Sequence, residues 1–160
     1  PKNVDTVLVL NGDDSAFYRA GTLEYFITEH IRNNVILSLL TAELSDPDQL
    51  GRIVRHPDGQ VEIIEKEYLT KEQRKIKEIS TGTFCFDRAW FEDIFPTMPP
   101  LRKLGEYCLP TVLAIARETG RPYQVIKLKD SSEWFGINTI EELKKADRRK
   151  SSLSALYQPN

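Results

Sequence analysis

The sequence predicts an α/β fold in which a sheet packs between helices, and three observations carry that prediction. Thr6–Leu10 is an apolar run without polar alternation, the pattern of a strand covered on both faces as in a parallel sheet. A helical pattern and a second apolar run follow it, making a strand–helix–strand unit. The 160 residues are 40% hydrophobic, enough for one domain with a core of its own.

The first strand stops at Asn11 and Gly12, and Asp13 and Asp14 come next. Open α/β sheets bind ligands beyond the carboxyl ends of their strands, so this rim is where a metal or a phosphate ester would be held. Asp and Asn after a strand are also common turn and helix-cap residues, which leaves a purely local role open. Thr22–Arg32 then places Leu23, Phe26, Ile27 and His30 on one helical face, with Thr22 as the expected N-cap. Asn33 and Asn34 end that helix, and Val35–Thr41 is a second mostly apolar strand reached by a right-handed crossover. Because the chain enters a doubly covered strand within a few residues of Pro1, earlier βα units are expected to precede it in a larger domain.

Ser45–Leu50 reads as a loop, and Pro57, Asp58 and Gly59 turn the chain between Arg52–Arg55 and Val61–Glu65 in a β-hairpin. Thr70–Glu78 is strongly charged and reads as a solvated helix or arm anchored by Ile76 and Ile79. Thr81–Asp87 is a strand, and Arg88–Phe95 a short helix turning Trp90, Phe91 and Phe95 inward. Beyond the loop of Pro96, Pro99 and Pro100, Leu109–Arg117 is an apolar helix preceded by Gly105, Glu106 and Tyr107 and stopped by Gly120. Pro122–Leu128 is a further strand. Thr139–Glu142 is a capping box that opens a helix to about Lys150, leaving 151–160 as a tail or linker.

The charges nearly balance, 22 Lys and Arg against 24 Asp and Glu, for a formal net charge of -2. That leaves no electrostatic footprint for nucleic acid or an anionic membrane and favours small-molecule partners. Cys85 and Cys108 stand apart without metal or redox spacing, as buried free thiols in a reducing cytoplasm would. No stretch has the pattern of a signal peptide, and no apolar run approaches the roughly 20 residues that span a bilayer, so the expected location is cytoplasmic.

Four segments in order, NGD after an apolar strand, LGRIVR, VEIIEKEYLTKEQRKIKEISTG and WFGINTIEEL, resemble the sugar-nucleotide pyrophosphorylases. The strongest likeness is to the bacterial N-acetylglucosamine-1-phosphate uridylyltransferase domain, from about Val4 to Arg149. The resemblance implies a GT-A-like, Rossmann-type nucleotidylyltransferase domain, a mixed sheet flanked by helices, of which 1–150 would be the C-terminal part with the N-terminal βα units missing. It implies transfer of UMP from UTP to a sugar 1-phosphate such as N-acetylglucosamine 1-phosphate, with release of pyrophosphate and with Mg²⁺ as cofactor. Asp13 and Asn138 would hold the metal, and Gly12, Gly51, Glu65, Ser80, Thr81 and Gly82 would contact the substrate. No nucleophilic side chain is required, because the substrate's own phosphate attacks the nucleotide and the protein positions and neutralises. Magnesium, a hard ion with few protein ligands, suits one carboxylate and one amide.

Four positions leave the resembled pattern: Asn11 stands for a tyrosine, Asp14 and Ser15 for an apolar–proline pair, and Ser80 for the asparagine of NTG. The Gly-rich nucleotide loop of such enzymes lies upstream of the matched region, so this stretch alone is expected to be inactive and to self-associate or swap strands through exposed edges. Two alternatives stand beside the transferase. One is a noncatalytic relative that binds sugar phosphates or regulates, and the other a metal-dependent glycosyltransferase, which the adjacent rather than alternating acids disfavour.

Overall fold

The computed structural model describes residues 3–47, 49–100 and 107–156, the last three by backbone alone. Its main sheet has four strands in the order β1 (Thr6–Val9), β5 (Glu78–Asp87), β2 (Leu37–Glu43), β6 (Tyr123–Lys127). β5 runs antiparallel to both neighbours, while β2 and β6 are parallel, so the sheet is mixed. Strands β3 (Arg52–Arg55) and β4 (Val61–Ile64) form a separate two-stranded hairpin. The helices are α1 (Ala20–Arg32), α2 (Arg88–Ile94), α3 (Pro110–Glu118) and α4 (Ile140–Leu156). None of the described helices is long and apolar enough to cross a membrane.

The two faces of the sheet carry two cores. Leu37, Leu39, Phe84 and Phe86 pack on one side with Ile53 of the hairpin and Val112 and Leu113 of α3. Leu40, Ala42, Ile79 and Cys85 pack on the other with Phe26 of α1. This alternation along β2 and β5 is the period-two signature of strands covered on both faces. The aromatic ladder Phe84–Phe86–Phe91 is stacked, with centroids 5.7 and 4.4 Å apart, and ties α2 to β5.

Several local expectations are corrected. Thr6–Val9 is half-buried throughout and pairs only with β5, antiparallel, among the described residues; its apolar run reflects packing on β5 rather than a parallel neighbour. Thr22 does not cap α1. The helix starts two residues earlier, after Arg19, and the Thr22 hydroxyl instead donates to Glu133 at 3.0 Å. Of the helix or arm expected over Thr70–Glu78 the structure has the arm, with only a 3-10 turn at Gln73–Lys75 before β5 begins, because one half-buried isoleucine gives a helix no face to bury. Phe95 is 51% exposed, since α2 gives way to a 3-10 turn containing Pro96 there. Cys85 is buried and its thiol is pushed up to about 12 by that burial, whereas Cys108 is only half-buried.

Other readings hold. Phe26 and His30 are buried on α1, and His30 Nδ1 pairs with Ser38 Oγ at 2.8 Å. The HPDG turn closes with His56 N donating to Gln60 O at 2.8 Å. Gly120, at φ +64°, ends α3: its N–H reaches Arg117 O and that of Arg121 reaches Ala116 O, the paired bonds of a Schellman stop. Helix α4 continues past Lys150 to Leu156, while Gly105, Glu106 and 157–160 of the expected tail lie outside the described residues.

Candidate functional site

The site is built where β1 ends, and a bulge in β5 shapes it. Between the Leu39–Phe84 and Thr41–Ser80 pairs, β2 has only Leu40 while β5 has Thr81, Gly82 and Thr83. The extra residues bend β5 and re-aim their backbone, the usual effect of a bulge beside a binding site. Gly82 takes φ +72°, a left-handed conformation open to glycine at little cost. Thr81 Oγ1 anchors the bulge by donating to Leu40 O at 2.7 Å, and the Tyr18 hydroxyl pairs with Thr83 Oγ1 at 3.0 Å.

The loop after β1 lies against the segment that enters α4. Ile137 N donates to Asp13 O at 2.9 Å and Phe135 N to Asp14 O at 3.5 Å. Phe17 meets Phe135 edge-to-face at 5.9 Å, and the Arg149 guanidinium of α4 covers Phe17 at 3.9 Å. The capping box fixes the end of this segment. Thr139 N and Asn138 N both donate to Glu142 Oε2 at 2.8 Å, Glu142 N donates back to Thr139 Oγ1 at 3.2 Å, and the donors hold the Glu142 carboxyl below its ordinary range.

A cavity of about 430 Å³ opens at this junction. Gly51, Glu65, Ser80, Thr81 and Gly82, expected as substrate contacts, all line it, although they come from the hairpin and from β5. Glu65 stands beside Gly51, where a side chain would press to 3.0 Å from Ile64 O and 3.2 Å from Glu65 Oε2. Burial, then the neighbouring Glu67 charge, pushes the Glu65 carboxyl above its ordinary value. Lys66 turns away and donates to Gln49.

The expected metal pair lies beside this cavity rather than in its wall. Asp13 and Asn138 are both exposed, and the Ile137 N to Asp13 O bond brings their chain segments together. Among the described residues no three His, Cys, Asp or Glu side chains group as a metal cage. The donors fit a hard cation that takes one carboxylate and one amide oxygen and fills its remaining positions with phosphate and water. Gly12 is exposed, with open space where a Cβ would stand, so no close approach requires glycine there.

Residues beyond those expected also line the cavity, chiefly Asn11, Asp14, Cys108 and Trp134. Asp14 is only 7% exposed. Its Oδ2 accepts from Asn11 Nδ2 at 3.2 Å, and its Oδ1 takes no hydrogen bond among the described residues. The Trp134 indole N–H faces this carboxyl but donates to Thr81 O, at 3.3 Å. Burial raises the Asp14 carboxyl from 3.8 to about 6, against the lowering effect of Asn11 and Trp134 and with a further upward push from Asp13. The sequence signal for this group was the set of departures itself, because Asn11, Asp14 and Ser80 share one cavity wall.

Comparison with known proteins bears on this arrangement. No family model matches the sequence. Curated relatives do: the bifunctional protein GlmU of Desulfitobacterium hafniense is 35% identical over 144 residues, and that of Heliobacterium modesticaldum 36% over 148. Over most of its length the chain is similar to one part of these GlmU proteins. These matches cover 90% and 92% of the chain but 32% of each relative, so the chain spans about a third of the length of the curated relatives it matches. The fold agrees. A crystal structure of a candidate glucose-1-phosphate thymidylyltransferase from Bacillus anthracis, in complex with a sucrose, superposes with a TM-score of 0.66 at 19% identity, over 90% of this chain and 54% of that one.

Proposed function

We propose that this chain is the sugar-binding and metal-binding part of a cytoplasmic nucleotidylyltransferase that transfers UMP from UTP to a sugar 1-phosphate, N-acetylglucosamine 1-phosphate or a close analogue, releasing pyrophosphate. The observation that carries the reading is the convergence of Gly51, Glu65, Ser80, Thr81 and Gly82 on one polar-edged cavity next to Asp13 and Asn138. Kinship with the GlmU proteins supports the reaction class.

In this reading the β5 bulge and the hairpin hold the sugar, with the Glu65 carboxyl accepting from a ring hydroxyl. The sugar phosphate then projects toward Asp13. Its oxygen attacks the α-phosphorus of the nucleotide in line as pyrophosphate leaves, so the protein's task is orientation and charge balance. Asp13 and Asn138 would hold Mg²⁺, which supplies neutralisation of phosphate charge when bound. The remaining protein residues act by positioning, and none of them enters a covalent step.

The test is a pyrophosphate-release assay on the full-length protein with UTP and dTTP against several sugar 1-phosphates. Turnover with UTP and an N-acetylhexosamine 1-phosphate is expected, and silence with every pair would refute the assignment. Binding of a sugar 1-phosphate without any turnover would favour a noncatalytic sensor. The 160-residue chain by itself is expected to show no transfer, with the rest of the nucleotide site supplied by the remainder of a GlmU-sized protein.

A further inference from the structure

Asp14 is the cavity side chain whose presence most needs a reason. A buried carboxyl with one oxygen unbonded among the described residues costs stability that an apolar residue in the same place would not. Its one firm contact is therefore where its effect is to be sought, and that contact is the Asn11 amide at 3.2 Å. Carboxylate oxygens accept hydrogen bonds, so the amide must present its NH₂ edge to Asp14. The planar amide then carries its carbonyl oxygen on the opposite edge, where no described residue bonds it.

Two neighbours make this arrangement possible and give it a counterpart. A Cβ on Gly82 would lie 2.1 Å from Asn11 Nδ2, so the amide can rest over the β5 bulge only because residue 82 has no side chain. Ser80 Oγ accepts from Gly82 N at 3.3 Å, which leaves its O–H as a donor at the same wall. An acceptor on Asn11 and a donor on Ser80 in the lining of one cavity match the dual character of a hydroxyl group.

We propose that Asn11 is a specificity-determining contact whose carbonyl accepts a hydroxyl or amide hydrogen from the sugar of a bound sugar 1-phosphate, and that Asp14 is the positioning residue that fixes the orientation of that amide. The inference rests on the cavity being a sugar-phosphate site, as proposed above.

Calorimetric titration of the full chain with glucose 1-phosphate and with N-acetylglucosamine 1-phosphate tests it, with melting curves recorded for every variant. Asn11→Ala is expected to weaken the better probe about three- to tenfold, the range of one neutral hydrogen bond, and to narrow its preference over the other. Asp14→Ala is expected to weaken it comparably in the native background and to add nothing in the Asn11→Ala background, because its effect passes through the amide. Asp14→Asn keeps an acceptor for Asn11 and should bind like the native chain, while Asp14→Leu fills the same space and repeats the test should the alanine variant fail to fold. Unchanged binding in Asn11→Ala overturns the contact. Equal weakening by Asp14→Ala in both backgrounds overturns the positioning role. A native chain that binds neither probe overturns the sugar-phosphate reading itself, and the inference with it.

Discussion

Glu78 and Asp14 are buried to nearly the same degree, 9% and 7% exposed, yet their carboxyls are shifted in opposite directions. Glu78 opens β5 and is fully served. Arg55 reaches it through Nε at 3.0 Å and Nη2 at 2.7 Å, and Thr41 Oγ1 donates at 2.7 Å. Burial alone would raise its carboxyl, but these donors outweigh burial and hold it below the ordinary glutamate value. Among the described residues Asp14 has one side-chain donor at hydrogen-bond distance, and burial pushes it up to about 6. What separates a structural carboxylate from one poised in a cavity is thus the number of donors it meets, not its depth.

Mutating the two acids should move stability in opposite directions. Glu78→Ala is expected to destabilise the chain by about 3 kcal/mol in urea unfolding, because charge-assisted bonds are lost and the Arg55 pair is broken. Asp14→Asn is expected to stabilise it by about 2 kcal/mol at pH 8, since the neutral amide avoids the cost of ionising a buried carboxyl. A loss of stability in Asp14→Asn would show that the ionised form is the better-served one.

The pH dependence sharpens the same contrast. The folded value of Asp14 lies above 3.8, so its stabilising contribution is complete below 3.8 and is lost as pH rises through about 6. Glu78, held below 4.5, contributes fully above that value and loses its contribution as pH falls through the depressed one. His30, lowered from 6.5 chiefly by burial, acts in the same sense as Glu78, contributing above 6.5 and less as pH falls. Asp14→Asn should therefore gain its advantage over the native chain only above about pH 4, and show none in melts at lower pH.

Smaller effects probe the scaffold of the cavity. Gly82→Ala should cost about 1–2 kcal/mol, from the φ of +72° and the displaced Asn11 amide, and should weaken sugar-phosphate binding at the same time. Thr139→Ala should cost about 1 kcal/mol through loss of the cap on α4. Asp13→Asn should change stability by less than about 0.5 kcal/mol, as exposed substitutions do. If the assignment is right, it should nevertheless abolish turnover in the full-length protein.

The strand–helix alternation, the hairpin turn, the α3 stop and the capping box were all legible from residue types at fixed spacing, because turn and cap chemistry is local. The start of α1 was not, because Arg19 precedes it without a side-chain cap while Thr22 is drawn to Glu133, 111 residues on. The expected substrate contacts could be named only through resemblance. Nothing in the spacing of Gly51, Glu65 and Ser80 says that they meet.

Periodicity and composition by themselves determined that this is an α/β chain with strands covered on both faces, because burial must repeat with the backbone. The order of the strands, the antiparallel placement of β5 between β1 and β2, and the bulge that carries Gly82 were decided only in the tertiary structure. Pairing partners and register depend on contacts between residues far apart in sequence. The same is true of Asp14. Its residue type promised a rim carboxylate, and only the packing of Asn11, Gly82 and Trp134 around it made it a buried group in the wall of a cavity.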